Sequence, residues 1–355
     1  MHGRAPTPPA RRDDDGWSHY RLPLSPDHER TDEGPQMIPF GVTRPAERKT
    51  LTTLVTVGGD REYPGHVPPE PIARHLVAQL IEVGEPVRVL TPVTDGWPSE
   101  ATIVVGDIAR PDDTPAAFTG IERVFLTGAV PDTAWQAVRS ATDGGVRRIV
   151  LLSSHGPEIE IEFPPDSWYW LALEVVVERS GAQWTHLRPS PTMAQSMGPG
   201  FPDDTSDLAA TIRSNGMIRE AEPDAVCPLT HEADLAAVVR KALLSDDHVD
   251  QVLTVNGEPL SLRDQIGLVG AALGRTIPVE ALTGEQIAER YRSHGVSDEE
   301  IEAWLPDDDS EEEDAVDAVA IREGVESLTR ILGRRPRSYA DWLTDNLSTL
   351  GLRPS

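Results

Sequence analysis

Residues 51–59 read LTTLVTVGG, a short apolar and β-branched run that stops at Gly58-Gly59. The run is too short for a helix and is bounded by glycine, so it reads as a buried strand. The pattern beyond Gly59 sets the architecture. In PIARHLVAQLIEVG (71–84), Ile72, Leu76, Leu80 and Val83 recur at helical spacing, and Gly84 stops the helix. PVRVLTP (86–92), ATIVVGD (101–107) and ERVFLTG (122–128) read as three further strands. A helix is predicted over Thr133–Gly144, with Ala134, Val138 and Ala141 on one side. VRRIVLLSS (146–154) is a fifth strand, Trp168–Ser180 a helix and AQWTHLRPS (182–190) a sixth strand. Apolar strands alternating with helices imply a parallel sheet covered on both faces. The expected fold class is therefore α/β, a doubly wound, Rossmann-like parallel sheet.

The second half is less regular. Helices are predicted over Asp234–Leu244, 261–274 (closed by Gly274), Gly284–Gly295 and 321–333, with strands at QVLTVNG (251–257) and TIPVEAL (276–282). The expected organisation has a disordered leader at 1–49 and a Rossmann-like domain at 50–230, its sheet completed by 251–257. A small α+β C-terminal cap occupies 231–350. The leader is rich in Pro and charge, with eight acids balanced by eight bases. A docking arm anchored by Trp17, Tyr20 and Phe40 is its alternative reading.

Composition excludes several function classes. The chain has 355 residues and a net charge of −27, from 32 Lys+Arg against 59 Asp+Glu. Nucleic-acid binding needs a basic face and is not expected. Twelve of the acids fall in 293–321, which has no Lys or Arg, so the extreme charge is local. That segment reads as a solvated or mobile lid. The single cysteine, Cys227, excludes an internal disulfide framework and a multi-Cys zinc site. It precedes a proline in an apolar run and reads as buried rather than nucleophilic. No stretch approaches a membrane span. Arg11-Arg12 lead into three aspartates and not an apolar region, so no secretory signal is read and the cytoplasm is the default.

The ordered motifs resemble a known family. Gly58-Gly59, VVGD (104–107), GIERVFL (120–126), GVRRIVLLSS (145–154), ERSGAQWTHLRPS (178–190), HEADLAAVVRKAL (231–243), LTVNGEPLSLRDQIGLVGAALGR (253–275) and RRPRSYADWLTDN (334–346) match the order of the NmrA-like branch of the atypical short-chain dehydrogenase/reductases. The resemblance spans about residues 51–347. It implies a Rossmann domain binding NAD(P), a smaller C-terminal domain and a cleft between them. Some members reduce quinones or activated double bonds; others bind the dinucleotide as redox sensors.

The resemblance can be tested residue by residue. A Gly-rich turn lets backbone approach a pyrophosphate, and the next helix N-terminus supplies N–H groups. Here Gly58 and Gly59 begin the loop, Ala73 takes the third-glycine position, and a proline-bearing insertion separates them. Gly65 is an alternative closure of this longer loop. A working phosphate loop and one that has lost tight binding both remain open. The second strand ends in Thr91 and Pro92, neither the acid that meets an NAD ribose nor the arginine that meets an NADP phosphate. NADP is favoured by the resemblance alone. Asp107 sits where the family places an acid near adenine, or else caps the next turn. Thr127 and Gly128 match a backbone-lined part of the cleft, with Ser153 and Ser154 beside them.

No Tyr-x-x-x-Lys occurs; the aligned positions hold Asp166 and Trp170, and the only lysines are Lys49 and Lys241. Proton exchange through a lysine-tuned tyrosine is excluded. His155, at the C-terminal end of the fifth strand, is the candidate proton carrier, with Glu158, Glu160 and Glu162 just after it. Tyr169 is the second catalytic candidate, in an aromatic cluster with Trp168 and Trp170 that lines a substrate pocket or belongs to the core. His231, Glu232 and Asp234 read as a helix start, no metal motif of His-Glu-x-x-His type occurs, and no metal is expected. No hydrolase elbow occurs either.

The expected function is an NAD(P)-binding oxidoreductase acting on a small aromatic or quinone-like molecule. The alternatives are a non-catalytic redox sensor or scaffold with a degenerate dinucleotide loop, and a cofactor-independent isomerase or cyclase using His155. The expected partner is a small-molecule substrate, with no nucleic acid and no membrane.

Overall fold

Seven strands form one parallel sheet in the order β3-β2-β1-β4-β5-β6-β9. They are β1 (Thr52–Thr56), β2 (Val87–Thr91), β3 (Thr102–Val105), β4 (Ile121–Leu126), β5 (Arg148–Leu152), β6 (Gln183–Pro189) and β9 (Gln251–Val255). Every neighbouring pair is parallel, including β6 with β9, so residues 251–255 complete the sheet. This computed structural model describes residues 52–58, 69–198, 207–214, 216–298, 301 and 311–353. The expected leader, Gly59 and Gly65 lie outside the described residues.

Apolar strand residues point to both faces, and each face has its own helical cover. On one side Val55, Val89 and Val150 pack with Ile72, Leu76 and Leu80 of α1 (Pro69–Glu82), Leu235 and Val239 of α7 (Glu232–Leu244), and Leu328 and Ile331 of α10 (Glu311–Leu332). On the other, Leu54, Val124 and Ile149 pack with Ala134 and Val138 of α2 (Pro131–Asp143) and Leu173 and Val177 of α4 (Trp170–Glu178). Two covered faces make the sheet doubly wound, as its continuous apolar strands require.

A separate core holds the cap together. It joins Met193 of α5 (Met193–Ser196), Leu208 and Ile212 of α6 (Leu208–Arg213), Ile266 and Val269 of α8 (Leu262–Leu273), and Tyr339 and Trp342 of α11 (Tyr339–Asn346). Two small pairings flank it. In one, β8 (Val226–Leu229) runs antiparallel to β10 (Glu258–Ser261). In the other, β7 (Ile218–Glu220) runs parallel to β11 (Val279–Ala281), and α9 (Gly284–Ser293) comes next in the chain. No helix among the described residues is long and apolar enough to cross a membrane.

Three helix boundaries differ from the sequence reading, each for a local reason. α1 starts at Pro69 and takes Pro69 and Pro71 into its first turn, where a missing N–H costs nothing. α4 starts at Trp170 because Pro165–Ser167 forms a separate turn and Trp168 is extended. The helix predicted over 321–333 begins instead at Glu311, so the described end of the acidic run is regular helix, and residues 302–310 of that run lie outside the described residues.

Candidate functional site

The strand order reverses between β1 and β4, and ligands of open α/β sheets bind at the C-terminal edge of such a switch point. The edge here is nearly bare backbone. Thr56 Oγ1 donates to the Thr127 carbonyl (2.7 Å) and accepts from the Thr127 N–H (2.9 Å), which locks the ends of β1 and β4 together. Gly128, at φ +77°, lies so close that a Cβ there would be 1.5 Å from the Gly58 carbonyl oxygen. A Cβ on Gly58 would be 2.7 Å from Asp107 Oδ1. Asp107 itself accepts from the Ala109 N–H (3.0 Å) and caps the turn after β3. Gly58, Asp107, Thr127 and Gly128 are thus brought into one cradle. Gly58 and Asp107 are half-buried and Thr127 and Gly128 buried, and glycine at 58 and 128 is what lets the two strand ends meet; a glycine-lined strand end is also what close approach of a pyrophosphate requires.

The end of β2 carries no charge. Thr91 Oγ1 accepts from the Val93 N–H (3.1 Å), and the Trp97 indole N–H donates to the Val93 carbonyl (2.9 Å). Arg74 of α1 reaches across to this loop. It donates to the carbonyls of Gly96 (2.5 Å) and Asp95 (3.1 Å), and its guanidinium sits 4.6 Å from the Trp97 ring centre. Arg88 points away, onto the carbonyls of Ala117 and Thr119.

Beyond β5 a second group of polar side chains converges. Ser153 is fully buried and donates to Glu174 Oε1 (2.6 Å). Arg188, at the end of β6, grips the same carboxylate through Nε (3.0 Å) and Nη2 (2.7 Å). Its Nη1 donates to Glu158 Oε1 (3.2 Å), and Glu158 Oε2 lies 3.8 Å from His155 Nδ1. The hydrogen bonds to Glu174 hold the Arg188 guanidinium above its ordinary pKa. His155 precedes the short helix α3 (Gly156–Glu160), and its side chain stays 39% exposed. Ser154 Oγ accepts from the Gly156 N–H (3.1 Å). Glu160 accepts from the N–H groups of Trp170 (3.1 Å) and Leu171 (2.6 Å), tying α3 to the start of α4, while Glu162 faces solvent.

Tyr169 is buried edge-on against Trp170, with ring centres 4.9 Å apart, and its hydroxyl donates to the Ala129 carbonyl (3.4 Å). That contact sets it next to Gly128. Lys241 lies elsewhere, its amine on the Ile331 carbonyl.

Sequence reasoning singled out neither Arg188 nor the Glu174 carboxylate as a site group. The signal was present. An arginine in the buried strand THLRP and a glutamate in the apolar run WLALEVVVE each need a partner once desolvated.

The start of α7 is structural. His231 Nδ1 accepts from the Ala233 N–H (3.1 Å), and burial pushes this imidazole down to about 4. Glu232 accepts from the Ala194 N–H (2.7 Å), and burial raises its carboxyl. Asp234 accepts from the guanidinium groups of Arg334 and Arg337 and from the Arg337 N–H. Burial lifts the Cys227 thiol to about 11, far from a reactive thiolate. Among the described residues no group of three His, Cys, Asp or Glu side chains is placed to hold a metal ion.

Residues 71–201 match the family model described as NAD(P)H-binding. The domain is of the NAD(P)-binding Rossmann type. The match begins inside α1 and so leaves β1 and its glycine turn outside. Among curated proteins, the chain is 26% identical over 287 residues to (4-alkanoyl-5-oxo-2,5-dihydrofuran-3-yl)methyl phosphate reductase of Streptomyces griseus, covering 78% of this chain and 94% of that protein. It is 25% identical over 258 residues to NAD(P)H azoreductase of Xenophilus azovorans, covering 69% and 82%. Among solved structures, the NAD(P)-binding fold aligns with Citrobacter sp. triphenylmethane reductase at TM-score 0.58 and 15% identity, over 84% of this chain and 100% of that one. The NADPH-dependent quinone oxidoreductase of Escherichia coli, in complex with NADPH, aligns at TM-score 0.57 and 14% identity, over 82% and 99%.

Proposed function

We propose that the protein is an NAD(P)-dependent reductase of small aromatic or quinone-like molecules, related to the NmrA-like proteins, that works without a Tyr-x-x-x-Lys pair. The observation that carries the reading is the glycine junction of Gly58 and Gly128 at the switch point, on the same sheet edge as the half-exposed His155. The names of the similar proteins, reductases of quinones, azo compounds and triphenylmethane dyes among them, support the reaction class. A bound nicotinamide cofactor supplies the hydride.

The chain's own residues do the rest. The closed ends of β1 and β4 present backbone to the dinucleotide, and Asp107 borders the cradle on the β3 side. Arg188, clamped on buried Glu174, holds Glu158, and Glu158 stands beside His155. The imidazole is therefore the proton carrier that this edge offers, half-exposed and 3.8 Å from the Glu158 carboxylate. Tyr169 and Trp170 are core residues, and the Tyr169 hydroxyl on the Ala129 carbonyl supports the Gly128 turn from beneath.

The test is a titration of the full chain with NADH and NADPH, and then turnover with menadione and with an azo dye. Saturable binding of at least one nucleotide and reduction of at least one acceptor are expected. His155→Ala should fold normally, bind nucleotide as before and lose roughly a hundredfold or more in turnover. Absence of binding at millimolar nucleotide sinks the reading.

A further inference from the structure

We infer that Glu70 stands in for the acid missing from the end of β2, and that it makes this chain select NAD(H) over NADP(H). The inference rests on the dinucleotide-binding character of the domain and goes beyond it by naming the cofactor and the residue that chooses it.

Three observations lead there. First, Thr91, Pro92 and Val93 at the end of β2 offer neither a carboxylate nor a cation, and the Thr91 hydroxyl is engaged by Val93. The Asp95 carboxylate accepts from the Thr94 hydroxyl beside it (3.4 Å) and is exposed. Second, Arg74 staples the whole loop to α1, so the residues on the adjoining side of α1 are fixed relative to the end of β2. The staple runs from Thr91 through Val93 and Trp97 to Arg74. Third, Glu70 lies one turn before Arg74, in the first turn of α1, where a helix favours negative charge. Its Oε1 accepts both Arg74 Nε (3.0 Å) and Nη2 (2.6 Å), while Oε2 has no hydrogen-bond partner among the described residues. The carboxylate is about two-thirds buried and is held by its neighbour.

The chemistry of that arrangement discriminates. A fixed carboxylate with one free oxygen accepts from a ribose hydroxyl, and it repels a phosphate ester at the same carbon. Arg74 does not reverse the balance. Its Nε and Nη2 hydrogens go to Glu70 and Asp95, and Nη1 already holds Gly96, so it offers a 2′-phosphate little that is not in use. The competing assignment, in which Arg74 reads the phosphate, predicts the opposite preference.

The experiment compares NADH and NADPH binding by nucleotide fluorescence, with AMP and adenosine 2′,5′-bisphosphate as competing fragments. The wild-type chain is expected to bind NADH roughly ten- to a hundredfold tighter than NADPH, with AMP the better fragment. Glu70→Gln keeps an acceptor for Arg74 and removes the charge. It should lower the melting temperature only slightly and collapse the ratio towards one, chiefly by improving NADPH. Tighter NADPH in the wild type, or an unchanged ratio in a folded Glu70→Gln, overturns the assignment. Binding of neither nucleotide overturns it together with the cofactor reading, and is distinguished by the flat titration.

Discussion

A methyl group at Gly128 would meet the carbonyl oxygen of Gly58 at 1.5 Å, in a backbone conformation (φ +77°) that side chains avoid. Neither strand end can retreat, because Thr56 and Thr127 lock them side by side. Gly128→Ala is therefore expected to cost more than about 2 kcal/mol of stability and to abolish nucleotide binding, read from a urea transition and a fluorescence titration. Retained affinity would mean that the cradle is not the nucleotide site. Such positions were half-legible: the sequence marks glycine after a strand, but only the fold shows that one glycine faces the other. Arg188 and Glu174 were legible in the same partial way. Each is an ionisable group in an apolar run, and their spacing of fourteen residues says nothing of a shared contact until β6 and α4 are packed.

At the scale of elements, helices were easier to find than to place. The apolar period identified α7 and the later part of α10, yet both come after the strand-rich half and read as cap material. In the structure they lie on the sheet with α1, because Leu235, Val239, Leu328 and Ile331 fill the same apolar layer. Periodicity reports which face is apolar and not what covers it. A buried carboxylate helps to attach the chain after α10, beside the Tyr339 N–H on Glu258 (2.6 Å) and the Tyr339 hydroxyl at Ser196 (3.1 Å). Asp234 is fully buried and holds Arg334 and Arg337, which brings residues 334–337 back along α7 and delivers α11 to the cap core. Asp234→Asn should cost about 1–2 kcal/mol, since it weakens the charge-assisted hydrogen bonds while the two partly exposed guanidiniums stay solvated. Limited proteolysis should then cut first after α10. Cleavage elsewhere, with an unchanged melting temperature, would show the clasp to be dispensable.

At the scale of the whole molecule, acid stability depends on two buried histidines. Burial holds His186 and His231 down from 6.5 to about 4. His186 sits wholly inside the sheet, stacked on Trp184 and contacting Glu178, with Nδ1 unpartnered among the described residues. Between pH 6.5 and 4 the unfolded chain takes up protons that the native chain refuses. Stability is therefore complete above about 6.5 and falls as the pH drops towards 4, by on the order of 3 kcal/mol per histidine. His186→Gln should flatten this limb in urea unfolding measured across that window. A limb of unchanged slope would assign the acid sensitivity to other groups.

The parallel docking of β9 beside β6 has a consequence for how the chain is made. Synthesis runs from the N-terminus, and the strand that closes the edge of β6 arrives only with residues 251–255. Until then six strands stand with a raw border, and α7, whose Leu235 and Val239 help to cover them, has only just emerged. The last cover, Leu328 and Ile331, comes some seventy residues later still. For the nascent chain the border therefore moves: β6 offers its unpaired side until residues 251–255 pair with it, and from then on the short strand β9 is the edge.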